Sequence, residues 1–345
     1  MLESGSQFCD QPSQLTHLSE HSDLFICHEL RTPLTSIQGV LGLLNTGKLG
    51  CLSEEGQRLL AIAINNANRL NRLARTLEAW PTSSMTVLSE EVIEQLQLEN
   101  DLHKALFQQE FQLAYQPIIS TIDHQIIGFE ALARWHHPSR GYIPAQVFIP
   151  LAEKLGCIHQ LGAWILEQAC LQLRTWQQQQ PNVPPLYMSV NLSAGQILQP
   201  HLVQEIQHIL IRTGVLPSDL KIEITESMLV ENQQSAICVL TELQEMGIQF
   251  YVDDFGTGYS SLGRLQQLPI DGLKIDRSFV QNKQWNISRT IVCLAENLGL
   301  DVIAEGVETD EDLMELQAAG CVKMQGYHFS QPLFSQAATT LILGD

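Results

Sequence analysis

"IQFYVDDF", residues 248–255, is the stretch on which the fold turns. An aromatic and β-branched run of this kind reads as a strand. It nevertheless closes on two adjacent carboxylates, Asp253 and Asp254, which a buried strand tolerates only when they are paired or bound to a cation. The pattern recurs on either side. Upstream stand "FQLAYQPII" (111–119), "IIGFEALARW" (126–135), "LYMSVNLS" (186–193) and "LKIEITES" (220–227); downstream follow "GLKIDRSF" (272–279), "LDVIAEGV" (300–307) and "VKMQGYHF" (322–329). Amphipathic helices are predicted after "LGCIHQLG" and at 201–214, 232–247, 284–299 and 310–320. Strands alternating with helices indicate successive βα units and a parallel sheet. Eight of them over residues 111–345 fit an α/β fold of the (β/α)8, TIM-like barrel class.

In such barrels the C-terminal strand ends build the functional site. Here they present Glu130, Asn191, Glu223 with Glu226, Asp253 with Asp254, Lys274 with Asp276, Glu305 with Glu308, and Gln325. Many acids beside one Asn and one Lys call for divalent cations. Oxygen-only ligands point to Mg2+ or Mn2+, and no convergent His or Cys set supports zinc. Arg134 shares a strand face with Glu130 and is placed to contact an anionic substrate with a planar, bidentate donor. His136 and His137, before a proline, read as turn residues.

The composition narrows the partners. The 345 residues carry a net charge of −19, from 38 acidic against 19 basic side chains, so neither a nucleic-acid polymer nor an anionic membrane surface is an expected partner. The eight cysteines form no C-x-x-C pair and are expected to be reduced thiols in the cytoplasm. No apolar run approaches the ~18 residues of a spanning helix.

The N-terminal part has a different rhythm. After a polar segment, 1–21, an apolar seam runs through Cys27, Leu30, Leu34, Ile37, Leu41 and Leu44, and a second through Leu60, Ala63, Ala67, Leu70, Ala74 and Leu77. Residues 22–80 are thus an expected all-α helical hairpin, and 81–110 a linker helix before the barrel at 111–345. A lone hairpin cannot complete a core, so pairing with a second copy into a four-helix bundle, hence a homodimer, is predicted.

The barrel motifs "EALARW", "VNLS", "IEITES", "DDFGTGYSSL", "KIDRSFV", "AEGVET" and "QGYHFSQPL" resemble, in order and spacing, those of EAL-domain cyclic di-GMP phosphodiesterases. The resemblance spans about residues 98–335 and implies hydrolysis of cyclic di-GMP to linear pGpG with two divalent ions per site. It implies that Glu130, Asn191, Glu223 and Asp253 hold one ion and that Asp253 and Asp254 serve the other. It further assigns Lys274 to the nucleophilic water, Glu305 to the general base, Glu226 to anchoring the "DFGTGYSS" loop and Gln325 to a substrate-side or metal-shell hydrogen bond. Asp254 to Gly258 also match an ATP-lid pattern, D-x-G-x-G, but the string closes a strand and no Asn-rich helix precedes it.

"FICHELRTPL" (25–34) resembles the phosphoacceptor box of histidine-kinase dimerisation (HisKA) domains, with His28 as acceptor, Glu29 beside it and Thr32 completing E-x-x-T. Nothing after residue 80 resembles the kinase ATP-binding domain, so self-phosphorylation is not expected. Two readings stand for His28: a relic within a dimerising hairpin, or a residue that exchanges phosphate with a response-regulator or histidine-kinase partner. For the whole chain the leading expectation is a cyclic-guanylate-specific phosphodiesterase. A non-catalytic cyclic di-GMP receptor coupled to a phosphorelay partner is the alternative, and hydrolysis of another nucleotide diester would use the same chemistry.

Overall fold

The computed structural model describes residues 34–37, 39–42, 44, 56, 60, 63, 67, 70 and 90–345, the last stretch without 181–184, 227, 229–232, 258–264, 267 and 344–345. The chain forms two compact units, Met1–Leu96 and Gln97–Asp345. In the first, every described position from 34 to 70 is helical. The seam residues Leu34, Leu60 and Ala67 are buried, whereas Ile37 and Leu70 of the same seams are 48% and 51% exposed. His28, Glu29 and Thr32 lie outside the described residues. A further helix spans Glu90–Ala105.

The second unit is built on ten strands: β1 Phe111–Ser120, β2 Gln125–His137, β3 Gly141–Ile143, β4 Tyr187–Asn191, β5 Leu220–Thr225, β6 Gln249–Phe255, β7 Gly272–Ile275, β8 Asp301–Ala304, β9 Lys323–Met324 and β10 Leu333–Phe334. Eight of them, β1, β2 and β4 to β9, close a ring, while β3 and β10 extend it at the outer edges of β2 and β1. These eight are the strands expected from sequence. One relation differs from the expected parallel sheet: β1 runs antiparallel to both β2 and β9. A four-residue turn joins β1 to β2, and so short a connection permits only a hairpin.

Side chains alternate about this wall wherever the register is regular. On β5, Leu220, Ile222 and Ile224 join the large core under the helices, and on β6 and β7 Phe250, Val252, Leu273 and Ile275 do the same. The outer helices, among them Ile158–Gln179, Leu202–Thr213 and Trp285–Leu298, supply the other side of that core. Ile118, Tyr251 and Ile303 form a separate cluster inside the ring. Residues between the outward ones therefore face the axis: Tyr187, Ser189 and Asn191 on β4, Lys221 and Glu223 on β5, Lys274 on β7.

At the end where the parallel strands begin, the axis is plugged by polar groups. Buried Lys221 donates to Tyr251 Oη at 2.7 Å, and Tyr251 donates to Asp301 at 2.6 Å. Lys323 pairs with Asp301 at 2.5 Å, and the Lys221 ammonium lies 3.6 Å from the Tyr187 ring centroid. Burial, reinforced by the neighbouring Lys323 charge, brings Lys221 down to about 8. The two rings fit because glycines face them: a Cβ at Gly128 would lie 2.6 Å from Tyr187, and one at Gly272 would lie 2.3 Å from Tyr251.

A closer approach occurs after β9, where Gly326 crosses the chain leaving β8. A Cβ there would lie 2.0 Å from the Val307 carbonyl oxygen and 2.3 Å from its nitrogen. Rigid backbone cannot yield as a side chain does, so Gly326→Ala is expected to cost about 2–3 kcal/mol, read as a lowered urea midpoint. An unchanged midpoint would show that this crossing does not limit stability.

Candidate active site

The strand ends opposite the plug converge on one ammonium group. Lys274 is completely buried, and its Nζ lies 2.5 Å from Glu305, 2.7 Å from Glu223, 3.2 Å from Asp253 and 3.4 Å from Glu130. Each carboxylate comes from a different strand or its end, so β7 is tied across the barrel to β2, β5, β6 and β8. Asn191 donates to Glu130 Oε1 at 2.8 Å, and Gln325 donates to Glu130 Oε2 at 2.7 Å. The sequence-predicted Glu130, Asn191, Glu223, Asp253, Lys274, Glu305 and Gln325 are thereby brought into one network.

Asp253 and Asp254 need a special device, because neighbours on a regular strand point to opposite faces. The β6–β7 register shifts between Val252 and Phe255, and Asp254 takes a left-handed φ of 51°. This bulge re-aims one carboxylate. As a result an oxygen of each of Asp253, Asp254 and Glu305 lies within 4.8 Å of the others. Beyond the bulge, Gly256 donates its N–H to Glu226 at 3.2 Å, with Gly256 at a φ of 99° that glycine adopts freely. Gly258 lies outside the described residues.

Other candidates stand apart. Asp276 caps the helix Arg277–Gln281 by accepting from Ser278 N at 3.0 Å, and exposed Glu308 accepts from Gln281 at 2.9 Å. Arg134 touches none of the carboxylates; its Nη1 donates to the Ala133 carbonyl at 3.2 Å and its guanidinium lies 5.9 Å from the Tyr142 ring centroid. Two network members were not among the sequence candidates. Ser189 donates to Glu223 at 2.5 Å, and Gln116 accepts from Gln325 at 2.9 Å. Ser189 stands two residues before Asn191, so strand alternation alone would have found it.

The electrostatics fit a cation site. Five acids, Glu130, Glu223, Asp253, Asp254 and Glu305, face a single ammonium. Burial, with repulsion from Glu130 next, pushes Glu223 well above the ordinary carboxylate range. Burial raises Glu305 to about 8 against the attraction of Lys274, and burial plus the Asp253 charge raises Asp254 to about 6. Glu130 is held low: burial works against it, but Lys274 and the donors Gln325 and Asn191 outweigh that cost. Lys274 is raised well above its usual range, the four carboxylates overcoming its own burial. Asp253 Oδ1 is buried with no hydrogen bond, its Lys274 contact being an ion-pair distance without hydrogen-bond geometry, and Gln325 Oε1 is equally unpaired. Unpaired buried oxygens among excess acids are what hard divalent ions such as Mg2+ or Mn2+ bind.

A family model described as EAL domain matches residues 99–332, and one described as His Kinase A (phospho-acceptor) domain matches residues 25–79. The chain is 40% identical over 245 residues to cyclic di-GMP phosphodiesterase NbdA of Pseudomonas aeruginosa, covering 70% of this chain and 31% of that protein. It is also 40% identical over 245 residues to the bifunctional diguanylate cyclase/cyclic di-GMP phosphodiesterase MucR of the same organism, covering 70% of this chain and 36% of that one. The solved MucR phosphodiesterase in complex with c-di-GMP superposes with a TM-score of 0.67 at 39% identity, over 70% of this chain and 100% of that one. The chain thus spans about a third of the length of the curated relatives it matches. Among the described residues no helix is long and apolar enough to cross a membrane.

The raised acids set a pH dependence. Glu305 and Asp254 titrate higher folded than unfolded, so the folded protein binds extra protons above about pH 4. The stability this contributes is present below that pH and is lost as pH rises toward about 8. The depressed Glu130 acts in the window below its ordinary 4.5 and does not offset the loss. In EDTA the melting temperature is therefore expected to fall from pH 5 to pH 8. Added Mn2+ should restore it more strongly at the higher pH, because the ion displaces those protons. A Mn2+ effect independent of pH would contradict this assignment.

Proposed function

The chain belongs to the EAL-domain family, and from that premise we propose that it is a metal-dependent phosphodiesterase that opens cyclic di-GMP to linear pGpG. The convergence of five carboxylates, one asparagine and one buried lysine at the ends of the barrel strands carries this reading. Glu130, Asn191, Glu223 and Asp253 would hold one Mg2+ or Mn2+, and Asp253 with Asp254 the second. Such a pair supplies charge stabilisation for the phosphate and lowers the pKa of a bound water.

The remaining work falls to the protein's own side chains. Lys274, fixed by four carboxylates, orients the attacking water with its ammonium. Glu305 accepts the water's proton as the water oxygen bonds to phosphorus. One ester P–O bond breaks, and the departing ribose oxygen takes up a proton from solvent, giving a linear dinucleotide with a terminal phosphate. Glu305 is raised to about 8 by burial, and nearby cations favour the ionised form that accepts a proton. Arg134 offers a phosphate a planar donor, and Glu226 holds Gly256 and the loop that follows it.

Purified protein incubated with cyclic di-GMP and Mg2+ or Mn2+ is expected to yield pGpG, separated by chromatography. Glu130→Ala and Lys274→Ala should each slow the reaction by at least about 100-fold, the order of loss when one electrostatic stabiliser is removed. Binding of the nucleotide without product in the unaltered protein would instead favour the receptor reading.

The N-terminal unit fits a dimeric arrangement, with the hairpin of one copy completing its core on another. Ile37 and Leu70 occupy seam positions yet are 48% and 51% exposed in the single chain, as residues awaiting a second copy would be. Residues 25–79, matching the phosphoacceptor model, would on this reading set the dimer and present His28, with Glu29 and Thr32, to a response regulator or kinase. The doubly substituted Ile37→Asp, Leu70→Asp protein is expected to elute with half the mass of the unaltered one in light scattering. An unchanged mass would place the interface elsewhere.

A further inference from the structure

Four acids at the strand ends share one lysine, and the sharing is uneven. An ammonium has three protons to donate, yet Lys274 Nζ faces Glu305 at 2.5 Å, Glu223 at 2.7 Å, Asp253 at 3.2 Å and Glu130 at 3.4 Å. Lys274 alone therefore cannot fix the orientation of every carboxylate around it. Glu130 has two further donors, Asn191 at 2.8 Å and Gln325 at 2.7 Å. Among the described residues Glu223 has one. Ser189 Oγ donates to its Oε1 at 2.5 Å, while Lys274 donates to its Oε2 at 2.7 Å.

The strand register accounts for this contact. In the ladder Ser189 of β4 stands between Glu130 of β2 and Lys221 of β5, and Asn191, the next inward residue of β4, is the partner of Glu223. The Glu223 side chain thus leans back by one inward step to meet the Ser189 hydroxyl. Ser189 and Glu223 are each 1% exposed, so bulk water cannot stand in for that donor. The donor is also neutral. A lysine or arginine at this point would cancel part of the negative charge that the five acids hold for cations, whereas a hydroxyl orients the oxygen and leaves the charge in place. It leaves Oε1 open to a second partner as well, because each carboxylate oxygen has about two lone-pair sites. Burial alone does not create such a bond: Ser288 is equally buried, and its hydroxyl has no partner among the described residues.

We propose that Ser189 is a positioning residue for the metal centre, its hydroxyl holding the Glu223 carboxylate in the orientation that receives a divalent ion. The inference rests on the metal-dependent reading and extends it to a residue that acts only through Glu223. Without the hydroxyl, Glu223 keeps no more than its share of Lys274. Ordering its side chain then falls to the arriving ion, which binds more weakly for that cost. Partners that hold a metal ligand in place typically account for about 10- to 100-fold in ion affinity.

The test titrates Mn2+ into the full chain in metal-free buffer without nucleotide, reading the electron paramagnetic resonance signal of the free ion. Ser189→Ala should raise the Kd of one Mn2+ site about 10- to 100-fold, and Ser189→Thr, which keeps the hydroxyl, should restore it. Ser189→Cys, close to serine in size but a weak donor, should also lose affinity, and circular dichroism checks that each variant is folded. In turnover of cyclic di-GMP, the Mn2+ dependence of the alanine variant should shift by the same factor, with the rate recovered when Mn2+ is raised to match. A folded alanine variant that binds Mn2+ like the unaltered protein overturns the positioning role and leaves the metal site intact. Equal loss in the alanine and threonine variants overturns it too, because the hydroxyl is then not what matters. If the unaltered protein binds no Mn2+, the metal-dependent reading fails and the role of Ser189 falls with it. If it binds Mn2+ but releases no pGpG, only the phosphodiesterase reading fails, and the Mn2+ titrations still decide Ser189.

Discussion

A single buried ammonium organises this barrel. Lys274 has no solvent access, and its charge is balanced by carboxylates drawn from β2, β5, β6 and the end of β8. An isolated buried lysine would give up its proton; here the surrounding acids hold it charged far above its usual range. The same arrangement leaves the acids in excess, so the lysine cannot satisfy them all. Asp253 Oδ1 and the raised Glu223, Asp254 and Glu305 carry that remainder. A site that is under-neutralised yet rigidly held suits multivalent cations, because the ligands are ordered before the ions arrive and little entropy is lost on binding. Stability and proposed chemistry therefore make opposite demands on the same oxygens, and the opposite end of the axis shows the contrast. There Lys221, Lys323, Asp301 and two tyrosines bond to one another and form a plug in which cations, not acids, are in the majority.

Much of this was legible in the chain because the barrel obeys a period of two. Once "LKIEITES" is read as a strand with Leu220, Ile222 and Ile224 outward, Lys221 and Glu223 must face the axis, and Glu223 lies at its upper end. All eight ring strands, and the acids at their ends, follow from that rule. What escaped the reading depends on departures from it. The reversal of β1 is set by a four-residue turn whose composition does not announce a hairpin. The meeting of Asp253 with Asp254 depends on a register shift and a left-handed backbone, neither of which alternation can reveal. Ser189 was within reach, since it shares its face with Asn191, but a hydroxyl among carboxylates draws less attention than an acid. Acids at a strand end also do not all have one use: Asp276 serves a helix cap and Glu308 a surface bond.

β2 joins these levels. Its inward residues run from Gly128, which makes room for Tyr187 in the plug, through Glu130 in the carboxylate cluster, to Arg134 and His136 beyond the last pair with β4. Its far end is fastened by His137, a buried residue that the sequence marked only as part of a turn. The Nδ1 of His137 accepts backbone N–H groups from Ser139 and Arg140, each at 3.2 Å. Nε2 must then carry the proton, and it donates to Asp101 at 3.2 Å. Asp101 belongs to the helix Glu90–Ala105, where Leu102 and Ala105 are almost wholly buried in the barrel's outer core. Lys154 adds a 2.8 Å pair with Glu99 of the same helix. The strand that carries the first metal-ligand candidate is thus anchored at its tip by chain that precedes the barrel. Its hydrogen bonds to β1 hold it from Gln125 to Trp135. The position of Glu130 among the carboxylates is thereby fixed by backbone geometry, which a side chain on a loop could not ensure.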